Sequence, residues 1–303
     1  MNRSRRWVTA VAVFAVLAIV LAACGSDNNK SSKSSSGGST GAVPTGGTLV
    51  VGAEQEPDCA DWIASCAGAS WGLYTIQEHT MPRTFDFVKK NGTWVETPNI
   101  LLAGEPTVAT VNGKQTVTYK INPDAKWSDG QPITSTDFKY SWDQIANGTD
   151  IYDKTGYNVI ESVNDTDPKT AVVTFSSPYA GWKQLWGAFY GVMPSHILQG
   201  QDRSAAMANG YDWSGGPWIA KWDKGVEVTL TQNPNWYGTK AKLDKVIFKF
   251  QADTSAEFQA FKNGETKAIY PQPQLDAVQQ IKAGIPVRTR SSPPTPPTSK
   301  RSG

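Results

Sequence analysis

Val117-Thr118-Tyr119-Lys120-Ile121-Asn122-Pro123-Asp124-Ala125-Lys126-Trp127-Ser128-Asp129-Gly130-Gln131-Pro132-Ile133-Thr134-Ser135-Thr136-Asp137-Phe138-Lys139-Tyr140-Ser141-Trp142 carries three local signals in one run. Val117, Tyr119 and Ile121 alternate with Thr118 and Lys120, the period of a half-buried strand. Just upstream, Asn112-Gly113 separates this run from Val108-Ala109-Thr110-Val111, and Asn-Gly between two such runs predicts a two-residue hairpin. Trp127-Ser128-Asp129-Gly130 reads as a turn in which the aspartate caps its own backbone, the glycine takes a positive φ and Trp127 is buried beneath. Thr134-Ser135-Thr136-Asp137 is a capping box, after which Phe138, Trp142 and Ile145 recur at helical spacing until Asn147-Gly148 closes the helix.

Working outward, Thr48-Leu49-Val50-Val51 predicts a first buried strand behind a double glycine. Further strands are expected over Lys169 to Ser176, Gly225 to Gln232 and Val246 to Phe250. Helices are expected at about Ser255 to Lys262, closed by Asn263-Gly264, and at about Gln274 to Ala283, closed by Gly284. Strands and helices interleave without an internal repeat, so the expected class is α/β with a mixed sheet.

The N-terminus reads as an address. Arg3, Arg5 and Arg6 precede an apolar run from Trp7 to Ala23, which is the pattern of an export signal over residues 1–23. Leu21-Ala22-Ala23-Cys24-Gly25 looks like a bacterial lipobox, in which Cys24 carries the lipid. Residues 24–47 are rich in Ser, Gly, Asn and Lys and predict a flexible tether. The expectation is a chain anchored by lipid to the outer face of the cell membrane. In that oxidising setting the two other cysteines, Cys59 and Cys66, are expected to form a disulfide.

Composition excludes several function classes. Of 29 basic and 27 acidic residues, three arginines belong to the signal, leaving 26 against 27 and no basic face for nucleic acid. Two histidines, His79 and His196, and three cysteines do not make the common Cys/His zinc spacings, and no cofactor motif is present. All tryptophans but Trp7 fall between Trp62 and Trp236, a density that suits either a core or a ligand cleft. A carbohydrate-active enzyme would need a carboxylate pair drawn from residues such as Asp129, Asp137, Asp143, Glu161 and Asp165. Asp129 and Asp137 are already accounted for by the turn and the cap. The remaining alternative is a surface lipoprotein that serves as an interaction module.

The Val117–Trp142 stretch closely resembles the signature of the family 5 extracellular solute-binding proteins, the dipeptide- and oligopeptide-binding components of ABC importers. Gly215-Gly216-Pro217-Trp218 through Trp222 to Asn233-Pro234-Asn235-Trp236-Tyr237 is similar to a strand pair of that family. So is Leu243-Asp244-Lys245-Val246-Ile247-Phe248 with the helix ending at Gly264, although Gly264-Glu265-Thr266-Lys267-Ala268 lacks the family's aspartate and puts the next strand in doubt. Glu56-Pro57-Asp58-Cys59-Ala60-Asp61 and Met193-Pro194-Ser195-His196-Ile197-Leu198 agree more loosely. His196 is read as a helix-start residue, and the resemblance covers about Thr48 to Gly284.

The resemblance implies a periplasmic-binding-protein-like type II fold, with residues 48–285 as the first lobe and an inserted subdomain at about 86–200. It implies a peptide ligand, a permease and an ATPase as partners, and no catalysis. Ligand-facing positions carried over are Ser65, Ala67, Gly68, Ser70 and Trp71 in the loop after the first strand, Tyr152 beyond the signature helix, and the turn of Gly215, Gly216 and Trp218. Family members run to about twice this length, so the second lobe is expected to be missing and peptide binding impaired. Residues 286–303 hold Pro293, Pro294, Pro296 and Pro297 among polar residues, which predicts a disordered tail and fits a shift of reading frame near Pro286.

Overall fold

The computed structural model describes residues 44–68, 70–187, 189–271, 278, 279 and 282. The expected signal with Cys24, the tether up to Val43 and the tail 286–303 lie outside them, as does the helix at Gln274 to Ala283 apart from positions 278, 279 and 282. The strands, in chain order, are β1 (Thr48–Ala53), β2 (Phe85–Lys90), β3 (Thr93–Pro98), β4 (Thr107–Val111), β5 (Lys114–Lys120), β6 (Ile160–Asp167), β7 (Thr170–Phe175), β8 (Trp218–Asp223), β9 (Glu227–Gln232), β10 (Lys245–Phe250) and β11 (Ala268–Ile269). They form a five-stranded sheet in the order β11-β1-β10-β9-β8, a four-stranded sheet in the order β4-β5-β7-β6, and a separate β2-β3 hairpin. The first sheet is mixed. β1 pairs in parallel with both β10 and β11, whereas β8, β9 and β10 run antiparallel.

The predicted hairpin forms with Asn112 at φ 51° and Gly113 at φ 78°, both left-handed as a type I′ turn demands. A second hairpin, β2-β3, turns on Asn91-Gly92 with the same geometry and is absent from the sequence expectations. Its apolar residues alternate poorly because only Phe85, at the start of β2, reaches the core, while Phe87, Trp94 and Val95 are all exposed. β6 was also not foreseen, because register shifts between Ile160/Ser162 and Asn164/Asp167 break its period of two. β11 forms despite the missing aspartate. Its pairing uses backbone only, with the Lys267 N–H donating to the Val50 carbonyl at 2.7 Å.

The helix Ser135–Asn147 packs on β6 and β7. Its Phe138 and Ile145 are fully buried, and Phe138 meets Trp186 at 5.4 Å and Tyr119 at 5.8 Å between ring centres. The cap is more than local. Asp137 accepts from its own helix start, Thr134 N–H at 2.8 Å, from the indole of Trp127 at 3.3 Å, and from the N–H and hydroxyl of Ser195 at 2.8 and 2.6 Å. One buried carboxylate thus ties the turn, the long helix and the short helix Ser195–Leu198 together. A smaller core under the mixed sheet gathers Ala60, Ile76, Trp218, Val228, Leu230 and Val246.

Glu257, on the helix Thr254–Lys262, is fully buried beside Glu54. Its Oε1 accepts from the Tyr270 N–H at 2.8 Å, but Glu257 Oε2 and Glu54 Oε1 are buried without a hydrogen-bond partner. Burial, with the neighbouring Glu54 carboxylate, raises the Glu257 pKa from 4.5 to about 7. Because the folded value lies above the unfolded one, the contribution is fully present below about pH 4.5 and is lost as the pH rises through about 7. Glu257→Gln is therefore expected to flatten the fall in stability over this window and to raise stability at pH 8 by about 1–2 kcal/mol. Urea titrations of both proteins from pH 4 to 8 check this, and parallel curves would refute it.

Candidate binding pocket

Four segments converge on a pocket of about 370 Å³ whose lining is mostly aromatic. The first is the loop after β1, closed by the disulfide between Cys59 and Cys66, whose Cα atoms are 5.9 Å apart. Inside it, Asp61 is buried and forms an ion pair with Arg203, itself buried. Burial still pushes the Asp61 carboxyl above its ordinary range, although Arg203 opposes the shift. The next residue, Trp62, lines the pocket and is fixed edge-on against Tyr211 and Trp213, each at 5.4 Å. The second segment is the helical run Ser70–Thr80, including a π-helical turn at Leu73–Gln77 that brings Leu73, Tyr74 and Gln77 to the lining.

The third segment follows the signature helix. The Tyr152 N–H donates to the Ile63 carbonyl at 2.9 Å, binding this strip to the disulfide loop, and the Asp153 N–H donates to the Tyr190 hydroxyl at 2.7 Å. Hydrogen bonds from the Thr155 side chain and N–H hold the Asp153 carboxyl below the usual range, so it is ionised at neutral pH. Tyr157 is buried, and its hydroxyl accepts from the Trp186 N–H at 2.6 Å. The fourth segment supplies Gln184, Leu185, Phe189 and Tyr190. Burial pushes Tyr190 up to about 12, so its phenol stays neutral.

A second cavity of about 660 Å³ adjoins the first and shares Leu73, Tyr74, Gln184 and Phe189 with it. Tyr74 and Phe189 thus form a partition in one longer groove. Beside it, Trp71, Tyr74 and Tyr270 make a ring cluster with centre distances of 5.6 to 6.4 Å. The pocket lining offers aromatic faces, two side-chain amides, the Thr155 hydroxyl and a single carboxylate. Such a surface can hold a molecule by contact and hydrogen bonding.

Of the residues expected from the sequence, Tyr152 lines the pocket and is 60% exposed. Trp71 is buried behind Tyr74. Ser65 is exposed, its N–H directed to Asp150 Oδ1 at 3.4 Å, and with Ala67 and Gly68 it forms the 3-10 turn Ser65–Gly68; Ser70 opens the following helical turn. Gly215, Gly216 and Trp218 do not line this pocket, and all three are buried. The Gly215 N–H donates to the Thr80 carbonyl at 2.9 Å, and a Cβ on Gly216 would stand 2.4 Å from the His79 carbonyl oxygen. Glycine is required there for close backbone contact, and Trp218 fills the smaller core. Trp62, Tyr74, Gln77, Asp153 and Tyr190 were not foreseen. Their signal was only the density of Tyr, Trp and Phe outside the recognised motifs.

A mixed sheet with long insertions beside an open, aromatic groove defines a binding protein of the periplasmic type II fold. The family model for bacterial extracellular solute-binding proteins, family 5, middle region, matches residues 101–299. The chain belongs to that family. It is 31% identical over 201 residues to the probable monoacyl phosphatidylinositol tetramannoside-binding protein LpqW of Mycobacterium tuberculosis, covering 65% of this chain and 31% of that protein. The oligopeptide-binding protein OppA of the same species is 27% identical over 315 aligned positions, covering 96% of this chain and 52% of OppA. Among solved structures, the periplasmic EDTA-binding protein EppA superposes with a TM-score of 0.68 at 27% identity, over 79% of this chain and 46% of EppA. The chain thus spans about a third to a half of the length of these curated relatives. No helix among the described residues is long and apolar enough to cross a membrane.

Proposed function

We propose that this chain is the ligand-capturing component of an ABC importer, held outside the cell membrane by a lipid on Cys24, and that it binds peptides without chemically changing them. The observation that carries the reading is the groove itself: two adjoining cavities divided by Tyr74 and Phe189, each within the volume range of a ligand pocket. Membership of a solute-binding family and similarity to an oligopeptide-binding protein support the same reading. The permease and ATPase partners follow from it, and membrane fractionation of a Cys24→Ser variant tests the anchor.

LpqW raises a second ligand class, an acylated phosphoinositol mannoside. The pocket disfavours it. In the pocket a phosphate would meet the Asp153 carboxylate, and Arg83, the cation lining the adjoining cavity, already faces Asp86. The test is a fluorescence titration with trialanine and longer mixed peptides up to millimolar concentration. Saturable binding is expected, with Tyr152→Ala weakening it by about 5–10-fold through loss of an exposed aromatic contact. Binding unaffected by Tyr152→Ala would move the ligand elsewhere.

A further inference from the structure

We infer that the aromatic pocket receives a positively charged group of the ligand, an ammonium or guanidinium such as a lysine or arginine side chain; this rests on the reading of the pocket as the ligand site. Asp153 is the one charged residue of the lining. It forms an ion pair with no cation among the described residues. The neighbouring cations are all engaged elsewhere. Lys154, next in sequence, donates through Nζ to the Ala146 and Gly148 carbonyls at 3.2 and 2.6 Å. Arg203 is spent on Asp61 behind Trp62, and Lys183 on Glu105 at 2.6 Å. Arg83, in the adjoining cavity, faces Asp86 at 3.8 Å.

Around that carboxylate stand Tyr152 at 60% and Phe189 at 67% exposure, with Tyr74 and Tyr190 behind. Aromatic faces attract a cation, and they do so more strongly once it leaves water. Asp153 is exposed among these rings, so a cationic group of the ligand would find there a negative charge that no cation among the described residues pairs with. An anionic group would be repelled by Asp153 at the same place. A neutral aliphatic chain would cover the rings but leave the carboxylate without a counter-charge.

Small probes that need only the pocket separate this inference from the reading beneath it. N-acetyl-lysine amide, N-acetyl-norleucine amide and N-acetyl-glutamate amide are titrated into the chain at low salt, alongside trialanine. The lysine probe is expected to bind about tenfold tighter than the norleucine probe, and the glutamate probe weakest. Asp153→Asn is expected to bring the lysine-to-norleucine ratio close to one, and high salt should compress the ratio in the same direction. Equal binding of lysine and norleucine, or a preference that survives Asp153→Asn, overturns the charge assignment. If trialanine binds at the pocket under those outcomes, the peptide reading stands without it. If neither the amides nor trialanine bind there, both readings fall.

Discussion

Arg203→Met is expected to lower the stability of the folded chain by about 3–5 kcal/mol at pH 7, the usual cost of leaving one member of a buried ion pair alone. Arg203 and Asp61 are both buried, and without the guanidinium the Asp61 carboxylate keeps only the Ile63 N–H at 3.4 Å. Burial already pushes the Asp61 pKa up with Arg203 in place, so losing the counter-charge pushes it higher. A carboxyl whose folded pKa exceeds its unfolded value loses stability as the pH rises, and the deficit of Arg203→Met should therefore shrink in acid. Replacing both partners, as Asp61→Leu with Arg203→Met, should recover much of the loss. Urea denaturation at pH 5 and 7 reads all three effects. Because Asp61 precedes Trp62, ligand affinity should fall along with stability. A single-variant cost below about 1 kcal/mol would show that the pair does not anchor the loop.

Asp137→Ala is the second large effect, again about 3–5 kcal/mol. It strips four donors of their acceptor, and each buried donor left unmade costs about 1–3 kcal/mol, less than additively. The turn at Trp127, the start of the helix Ser135–Asn147 and the helix Ser195–Leu198 loosen together. Asp129→Ala is the contrast. Asp129 also lies in the signature and bonds His196 Nε2 at 2.8 Å, but its side chain is 41% exposed, so its loss should cost under about 1 kcal/mol. Equal costs for the two aspartates would contradict the assignment of Asp137 as the joint of these three elements.

Asp137 also marks the limit of what the sequence discloses. Its role as a helix cap was legible because a capping box is local, spanning Thr134 to Asp137. Its bonds to Ser195, across 58 residues, leave no trace in the order of residues. The same contrast holds elsewhere. The hairpin at Asn112-Gly113 was readable because β5 has a buried face, whereas the equivalent turn at Asn91-Gly92 joins strands of which only Phe85 reaches the core. The disulfide followed from two cysteines in a chain whose N-terminus reads as an export signal, and it is present. The pocket was legible only at Tyr152. Its other walls come from the disulfide loop, a π-helical turn and the segment near Tyr190, which meet only after the chain has folded.

The central claim is that the aromatic pocket holds the peptide. It is tested most directly by two-dimensional NMR of the indole N–H groups, with trialanine and then trilysine added to saturation. The Trp62 indole is the pocket's own tryptophan, while Trp218 lies in the separate small core and serves as the control. The account predicts saturable shifts at Trp62 and at the amides of Tyr74, Tyr152 and Asp153, with Trp218 unmoved. Shifts centred on Gly215 to Trp218 or on the β2-β3 hairpin, with Trp62 unmoved, would contradict it.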